Sequence, residues 1–336
     1  MTHRPLLSVL MPVRNEERYL PGALDSLFRQ TLADWELVAV DDGSSDATPA
    51  ILEQAAALDG RVRVIRLPGA GLVAALNAGL DACRGDFLAR MDGDDICHPR
   101  RFQRQAAYLQ EHPETGLVAS SFRHFPRSGL RRGMLDYERW QNSLASHAAI
   151  TRDLFVESPF VHPTVMTRRS ILQALGGYRD LGWAEDYDLW LRMAAAGTRF
   201  ARLAEPLFFW RDHPERATRT MDAYAADAMR RCKLHHLRRG FLREVTEVVL
   251  AGAGKEARAW QRLLTPEGIQ VSHWLDIDPR KVGRILHGAP VLRPAELVLE
   301  GRKMVVAIGL RGARDSFRQS AGQLGWREEV DFVCVA

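Results

Sequence analysis

Glu-Leu-Val-Ala-Val-Asp-Asp-Gly-Ser-Ser-Asp-Ala-Thr, residues 36–48, is the stretch on which the fold turns. A short apolar run, Glu36–Val40, breaks into an acidic Asp-Gly turn. Thr48–Leu58 then carries apolar residues at helical spacing, with Pro49 in the first turn, where its missing N–H has no helical partner to lose. Strand, polar turn and helix form one step of a parallel sheet with crossover helices. The step recurs on both sides. Leu7–Val13, Val62–Arg66 and Phe87–Met91 read as strands, and Leu20–Gln30, with Pro21 near its start, as a helix.

Beyond Asp92 the alternation loosens. A helix is expected over Pro99–Glu111, a strand over Gly116–Phe122, and loops over the Arg- and Gly-rich Phe125–Gly133. Strand-like Thr164–Thr167, an amphipathic Tyr187–Ala196, and strands Arg199–Leu203 and Leu207–Trp210 follow. A helix is expected over Met221–Arg243, ended by Gly240. A second α/β period then begins, with strands Val245–Leu250, Val271–Leu275, Met304–Ile308 and Phe332–Val335 and a helix over Ala257–Leu264. The expected domains are therefore 1–240 and 241–336.

The 336 residues are 46% hydrophobic and 26% charged, a composition that excludes disorder, collagen and a disulfide scaffold. Cys83, Cys97, Cys232 and Cys334 lack metal-ligand spacing and read as reduced, buried residues. No apolar run reaches the ~18–20 residues that span a bilayer, and the first residues lack a signal-peptide pattern, so the expected location is cytoplasmic. A net charge of +4 is far from a nucleic-acid-binding stripe, and no nucleic-acid partner is expected. Of 46 basic residues only Lys233, Lys255, Lys281 and Lys303 are lysines, an arginine excess that codon bias alone can produce. Within Met229–Arg239 basic residues are dense. That segment is either a solvated or interdomain face or a peripheral contact with anionic lipid at the inner membrane face.

Ligands of parallel α/β sheets sit outside the carboxyl ends of the strands. There the sequence places Asp41, Asp42 and Asp46 after the second strand and Asp92, Asp94 and Asp95 after the fourth. So many carboxylates repel one another unless a cation, sugar hydroxyls or N–H donors offset them. Asp92-Gly93-Asp94-Asp95 suits Mg2+ or Mn2+ held partly by substrate phosphates, whereas zinc would want His or Cys. Read alone, the group is equally an Asp-Gly turn with surface acids, and Asp41–Ser45 equally a turn and helix cap.

In this order the motifs resemble family 2 glycosyltransferases of the GT-A fold. PVRNEE (Pro12–Glu17), VDDGSSDAT (Val40–Thr48), GLVAALNAGL (Gly71–Leu80) and RMDGDD (Arg90–Asp95) carry the resemblance. HPTVMTRRS (His162–Ser170), GGY (Gly176–Tyr178), AEDYDLWLR (Ala184–Arg192) and WRDH (Trp210–His213) extend it over about residues 6–215. Arg14 stands where the family often has tyrosine, a difference near the nucleotide rather than the metal.

The resemblance implies a metal-dependent, inverting transferase that moves a sugar from a nucleoside-diphosphate sugar to a hydroxyl of a glycan, glycolipid or lipid-linked acceptor in cell-surface polysaccharide synthesis. Pro12, Arg14, Glu16, Asp41, Asp42 and Asp92 would face the nucleotide. Asp94, Asp95 and His213 would serve the divalent metal, Mn2+ or Mg2+. Asp186, at a helix start where the dipole favours its ionised form, would be the base. His162, Trp183, Glu185 and Arg211 would line the acceptor or diphosphate side. Blander readings stay open: Asp186 as a helix cap, His213 and Arg211 as exposed side chains, Trp183 as packing.

In the second period, Ala251-Gly252-Ala253-Gly254-Lys255-Glu256-Ala257 is a GxGxxA turn entering a helix, and Asp276 ends the next strand, as in a dinucleotide site. The segment resembles Rossmann-like modules attached to sugar acyltransferases and methyltransferases. It reads as a smaller nucleotide-binding or interaction domain around Gly252, Gly254 and Asp276, with NAD left open but not favoured. Two other functions compete with sugar transfer. One is a non-catalytic nucleotide or nucleotide-sugar binding protein; the other, lacking its early glycine loop here, is a sugar nucleotidyltransferase.

Overall fold

The structure, a computed structural model, describes residues 4–310 and 312–336. Its backbone forms two units. The first comprises residues 4–150, Pro159–Leu181 and Glu185–Met221; the second comprises Thr151–Ser158, Gly182–Ala184 and Asp222–Ala336.

The first unit is built on eight strands: β1 (Leu7–Val13), β2 (Trp35–Asp42), β3 (Val62–Leu67), β4 (Phe87–Arg90), β5 (Ile96–Cys97), β6 (Thr115–Phe125), β7 (Val165–Arg168) and β8 (Arg199–Arg211). Their order is β3-β2-β1-β4-β7-β6-β8-β5. β3, β2, β1 and β4 run parallel, whereas β7 is antiparallel to both β4 and β6. Every residue of β1 and β2 is buried, which is why these strands read as continuous rather than alternating apolar runs.

Two buried arginines tie the sheet together, Arg101 between the parallel and mixed halves and Arg202 within the mixed half. Arg101 donates to the Arg90 and Val165 carbonyls, 3.0 and 3.2 Å away. Arg202 donates to the carbonyls of Leu144, Ser120 and Pro159. A planar fork of donors suits scattered carbonyls better than a lysine ammonium would.

At the amino ends of the strands, Ser8 Oγ accepts the Gly85 N–H at 2.8 Å and donates to Glu36 at 2.7 Å. A Cβ on Gly85 would lie 2.5 Å from Ser8 N and 2.7 Å from Leu7 C. Both are backbone atoms and cannot swing aside. Gly85→Ala is therefore expected to lower the unfolding free energy by about 1–3 kcal/mol; an unchanged midpoint in urea would show that the backbone yields freely.

Where loops were expected over Phe125–Gly133, β6 runs on to Phe125 and a helix, Arg132–Ser143, begins within the stretch. Its inward residues are polar. Glu138 accepts the His124 N–H and Asn142 bonds both the N–H and the carbonyl of Phe122, so no apolar period marks the helix.

The expected helix Met221–Arg243 is shorter, Ala226–Leu237, and belongs to the second unit, where Leu234 and Leu237 join the core. Its basic residues are largely engaged. Arg230 pairs with Asp227 and Glu256, Lys233 is buried, and Arg238 donates to the carbonyls of Leu242 and Val245, leaving Arg231 and Arg239 exposed. Among the described residues no helix is long and apolar enough to cross a membrane.

The second unit holds β9 (Glu247–Ala251), β10 (Gln270–Leu275), β11 (Ile285–Leu286), β12 (Ala289–Leu292), β13 (Lys303–Val306) and β14 (Phe332–Cys334). They are ordered β11-β12-β10-β9-β13-β14 and are all parallel except β11. The order reverses at β9/β13, a topological switch of the doubly wound kind.

Candidate active site

The acidic loop after β4 owes its shape to strand pairing. β5 pairs antiparallel with Phe208–Phe209 of β8, which carries the end of β8 back to Asp92–Asp95. Arg211 N donates to Asp95 at 2.7 Å and Arg211 Nε to the Asp94 carbonyl at 2.6 Å. His213 Nε2 lies 2.7 Å from Asp94 Oδ2, and its Nδ1 lies 3.1 Å from Glu215. Gly93 lets this loop approach the end of β1, since a Cβ there would meet Val13 Cγ1 at 2.9 Å.

Asp92, Asp94 and Asp95 each place a carboxylate oxygen within 4.8 Å of the other two. Burial, and then the neighbouring charges, push the Asp94 carboxyl up and the Asp95 carboxyl well up. Glu16 is pushed to about 8 by burial, then by Asp94, Asp92 and Asp46, against the opposing pull of Arg211. Asp95 Oδ2 is buried and has no hydrogen-bond partner. Crowded hard oxygens, protonation favoured in place of charge, and one orphaned buried oxygen suit a divalent cation. The residues fit Mg2+ or Mn2+. His213 stands as a partner of Asp94 in this arrangement.

On the side expected to face the nucleotide, loops 14–17 and 43–48 are stapled together. Asn15 Oδ1 accepts the Ser45 N–H at 2.8 Å, Glu17 accepts that of Ala47 at 2.9 Å, and Thr48 Oγ1 accepts that of Glu16 at 2.8 Å. Asp41 is buried and accepts the Ser44 N–H at 3.0 Å. Both oxygens of Asp42 accept backbone N–H groups, from Ala70 at 2.6 Å and Gly71 at 2.8 Å. Asp42 thus shapes the loop beside Asp41 before it can bind any ligand. Gly43 makes the turn possible, with φ of +72° and a hypothetical Cβ 2.7 Å from Gly69 N. Pro12 lies in β1 opposite Val40, and Arg14 is exposed just past the strand.

The helix Glu185–Ala195 begins with two buried carboxylates. Asp186 Oδ1 accepts the Tyr187 N–H at 2.6 Å; burial, then the Glu185 charge, holds its carboxyl well above the usual range. Burial would also raise Glu185, but His162, with Nδ1 3.4 Å from Oε1, a backbone hydrogen bond and the Arg90 charge together outweigh it and leave Glu185 low. Arg90 Nη2 donates to Asp92 at 2.6 Å, and its charge bears on Glu185 and Asp186 as well.

Sequence reasoning assigned no role to Arg90, Asn77 or Tyr178. Asn77 bonds both the N–H and the carbonyl of Tyr178, at 2.9 and 3.0 Å, which explains why GLVAALNAGL and GGY occur together. Asn77 reads as polar on a helix whose exposure sequence cannot show, and Arg90 as one more arginine.

Trp183 falls in Gly182–Ala184, grouped with the second unit, where its ring lies 5.1 Å from that of His235. There also, Gly252 has φ of +94° and Ala253 N donates to Asp276 at 2.9 Å. Asp276 takes a further bond from Lys281 at 2.8 Å. The acid expected to meet a ribose is thus already paired within the chain.

The curled, parallel-dominated sheet with acids at its carboxyl end defines a glycosyltransferase of the GT-A fold. The model of Glycosyl transferase family 2 matches residues 8–176. The glycosyltransferase EpsE of Bacillus subtilis (strain 168) is 34% identical over 246 residues, covering 70% of this chain and 85% of that protein. The amylovoran biosynthesis glycosyltransferase AmsE of Erwinia amylovora is 36% identical, covering 60% and 74%. The structure of S. aureus TarS 1–349 in complex with UDP-GlcNAc aligns with a TM-score of 0.53 at 20% identity, covering 78% of this chain and 71% of that one. This chain belongs to glycosyl transferase family 2.

Proposed function

We propose that the protein transfers a sugar, with inversion, from a nucleoside-diphosphate sugar to a hydroxyl of a glycan or lipid-linked acceptor in the synthesis of a cell-surface polysaccharide. The observation that carries this reading is one contiguous set of buried charges in the first unit. Arg90 contacts Asp92 of the acidic cluster while its charge acts on Asp186. This supports a reading in which donor and acceptor chemistry meet near the end of β4. AmsE is named for polysaccharide biosynthesis and TarS 1–349 binds UDP-GlcNAc, which supports the donor and product classes.

Asp41, Pro12 and Arg14 line the nucleotide, and Asp42 holds their loop. Asp94 and Asp95, with Asp92 on the ribose side, hold the divalent cation, which when bound neutralises charge on the departing diphosphate. His213 and Arg211 orient the two aspartates. Asp186 accepts the acceptor hydroxyl proton as its oxygen bonds to the anomeric carbon and the sugar–phosphate bond breaks. The second unit is read as a binding or interaction module, with Gly254, which caps the helix Lys255–Leu264, as its candidate phosphate contact.

The test is thermal unfolding with UDP-, GDP-, CDP- and dTDP-sugars, with and without Mn2+, on wild type, Asp94→Ala and Gly254→Val. Nothing lies within 4 Å of a Cβ at Gly254, so that variant is expected to fold. A metal-dependent stabilisation lost in Asp94→Ala supports the donor site. A metal-independent one lost only in Gly254→Val would move the nucleotide to the second unit and overturn the reading.

A further inference from the structure

Three buried side chains outside the donor cluster form a line that the reaction as stated does not use. Tyr178 Oη lies 3.0 Å from His162 Nε2, and His162 Nδ1 lies 3.4 Å from Glu185 Oε1. Their relative exposures are 4%, 6% and 3%, so protein rather than water surrounds the line. Each end is anchored. Asn77 grips the Tyr178 backbone from both sides, Trp190 packs edge-on to the His162 ring at 5.6 Å, and Glu185 opens the helix that carries Asp186.

The geometry allows one consistent placement of protons. Burial raises the Tyr178 hydroxyl and lowers the His162 imidazole, so both stay neutral. A protonated phenol donates to Nε2. That fixes the tautomer with its proton on Nδ1, facing Glu185. Glu185 then remains a carboxylate next to Asp186, and adjacent buried carboxyls cannot both ionise easily.

We propose, resting on Asp186 as the base, that Tyr178 and His162 are positioning residues which keep Glu185 charged and fixed in direction, and that this line sets how firmly Asp186 holds a proton. Arg90, which bonds Asp92 at the end of β4, also bears on Asp186, while on the same helix Asp188 is paired with Arg192 at 2.7 Å. Arg90 draws the proton off Asp186 and Glu185 holds it on. The line from Tyr178 therefore decides the balance.

The experiment uses the full chain as wild type, Glu185→Gln, His162→Leu, His162→Gln and Tyr178→Phe. It reads the pH profile of kcat/KM for transfer and, separately, the pH dependence of unfolding in urea. Glu185→Gln removes the neighbouring charge, and His162→Leu takes one donor from Glu185 and so makes its charged form less favourable. Both are expected to move the acid limb of the profile down by about one pH unit. Tyr178→Phe moves it the same way by less, and His162→Gln, whose amide can still donate to Glu185, stays closer to wild type.

The unfolding arm needs no activity. A carboxyl held above its unfolded value loses stability as pH rises through its folded value, so the two variants should flatten that fall relative to wild type. A wild type that transfers no sugar defeats the transferase reading alone, because the unfolding arm still judges the line. Unmoved acid limbs with kcat lowered equally at every pH, or unfolding differences that do not vary with pH, would reduce the three residues to packing and overturn the proposal.

Discussion

Asp186→Asn is expected to lower sugar transfer by between about 10²- and 10⁴-fold, the usual contribution of a positioned general base, while the affinity for the nucleotide sugar stays as in wild type. The substitution keeps the shape of the side chain and its contact with the Tyr187 N–H, and removes only the ability to take a proton. Since burial and Glu185 hold the Asp186 carboxyl well above the usual range, the wild-type rate should fall as pH drops through that raised value. In Asp186→Asn the residual rate should lose this acid limb. A variant that transfers at the wild-type rate, or that loses donor binding along with turnover, would remove Asp186 from the role of base.

The second large effect lies at the acidic loop. Asp94→Asn is expected to cost about 10²–10³-fold in transfer, as removal of one group that stabilises developing charge commonly does, and to abolish the Mn2+-dependent part of donor binding. Chelation of wild type should reproduce both losses, and Mn2+ or Mg2+ should reverse them. Stability should move the other way. A buried carboxyl crowded by Asp92 is relieved by a neutral amide, so Asp94→Asn without metal should unfold at an equal or higher urea concentration than wild type.

The same crowding gives a sign for pH. Glu16 is raised from 4.5 to about 8, so the stability it contributes is present below 4.5 and is lost as pH climbs towards 8. Metal-free protein should accordingly weaken across that interval, and the cation should restore it. Full activity of Asp94→Asn in chelator would exclude the loop as a metal site.

Much of the candidate site was legible because its residues are contiguous. Asp92-Gly93-Asp94-Asp95, Asp41-Asp42-Gly43 and Glu185-Asp186 each announce themselves within a few positions, and the strands before them follow from apolar runs covered on both faces. What stayed hidden was carried by single residues whose partners are distant. Asn77 holds Tyr178, Arg101 reaches Val165, and Arg211 bonds Asp95 across 116 positions. The helix Arg132–Ser143 escaped for a related reason: it buries Glu138 and Gln141, so its inward face lacks the apolar spacing that marks a helix.

By itself the sequence determined two α/β units, the strand ends at which a ligand is expected, and the carboxylates proposed to carry the chemistry. Those follow from local periodicity and from charges too close together to be indifferent to one another. Only the tertiary structure decided which polar groups are consumed by the fold and which are left over. It turned Asp42 and Asp276 inward to backbone N–H groups, closed most of the basic stretch Met229–Arg239 in pairs and carbonyl contacts, and left Asp95 Oδ2 without a partner. A buried polar group must find a partner somewhere. Which one it finds depends on strands and helices far away in the chain, and no local pattern records that choice.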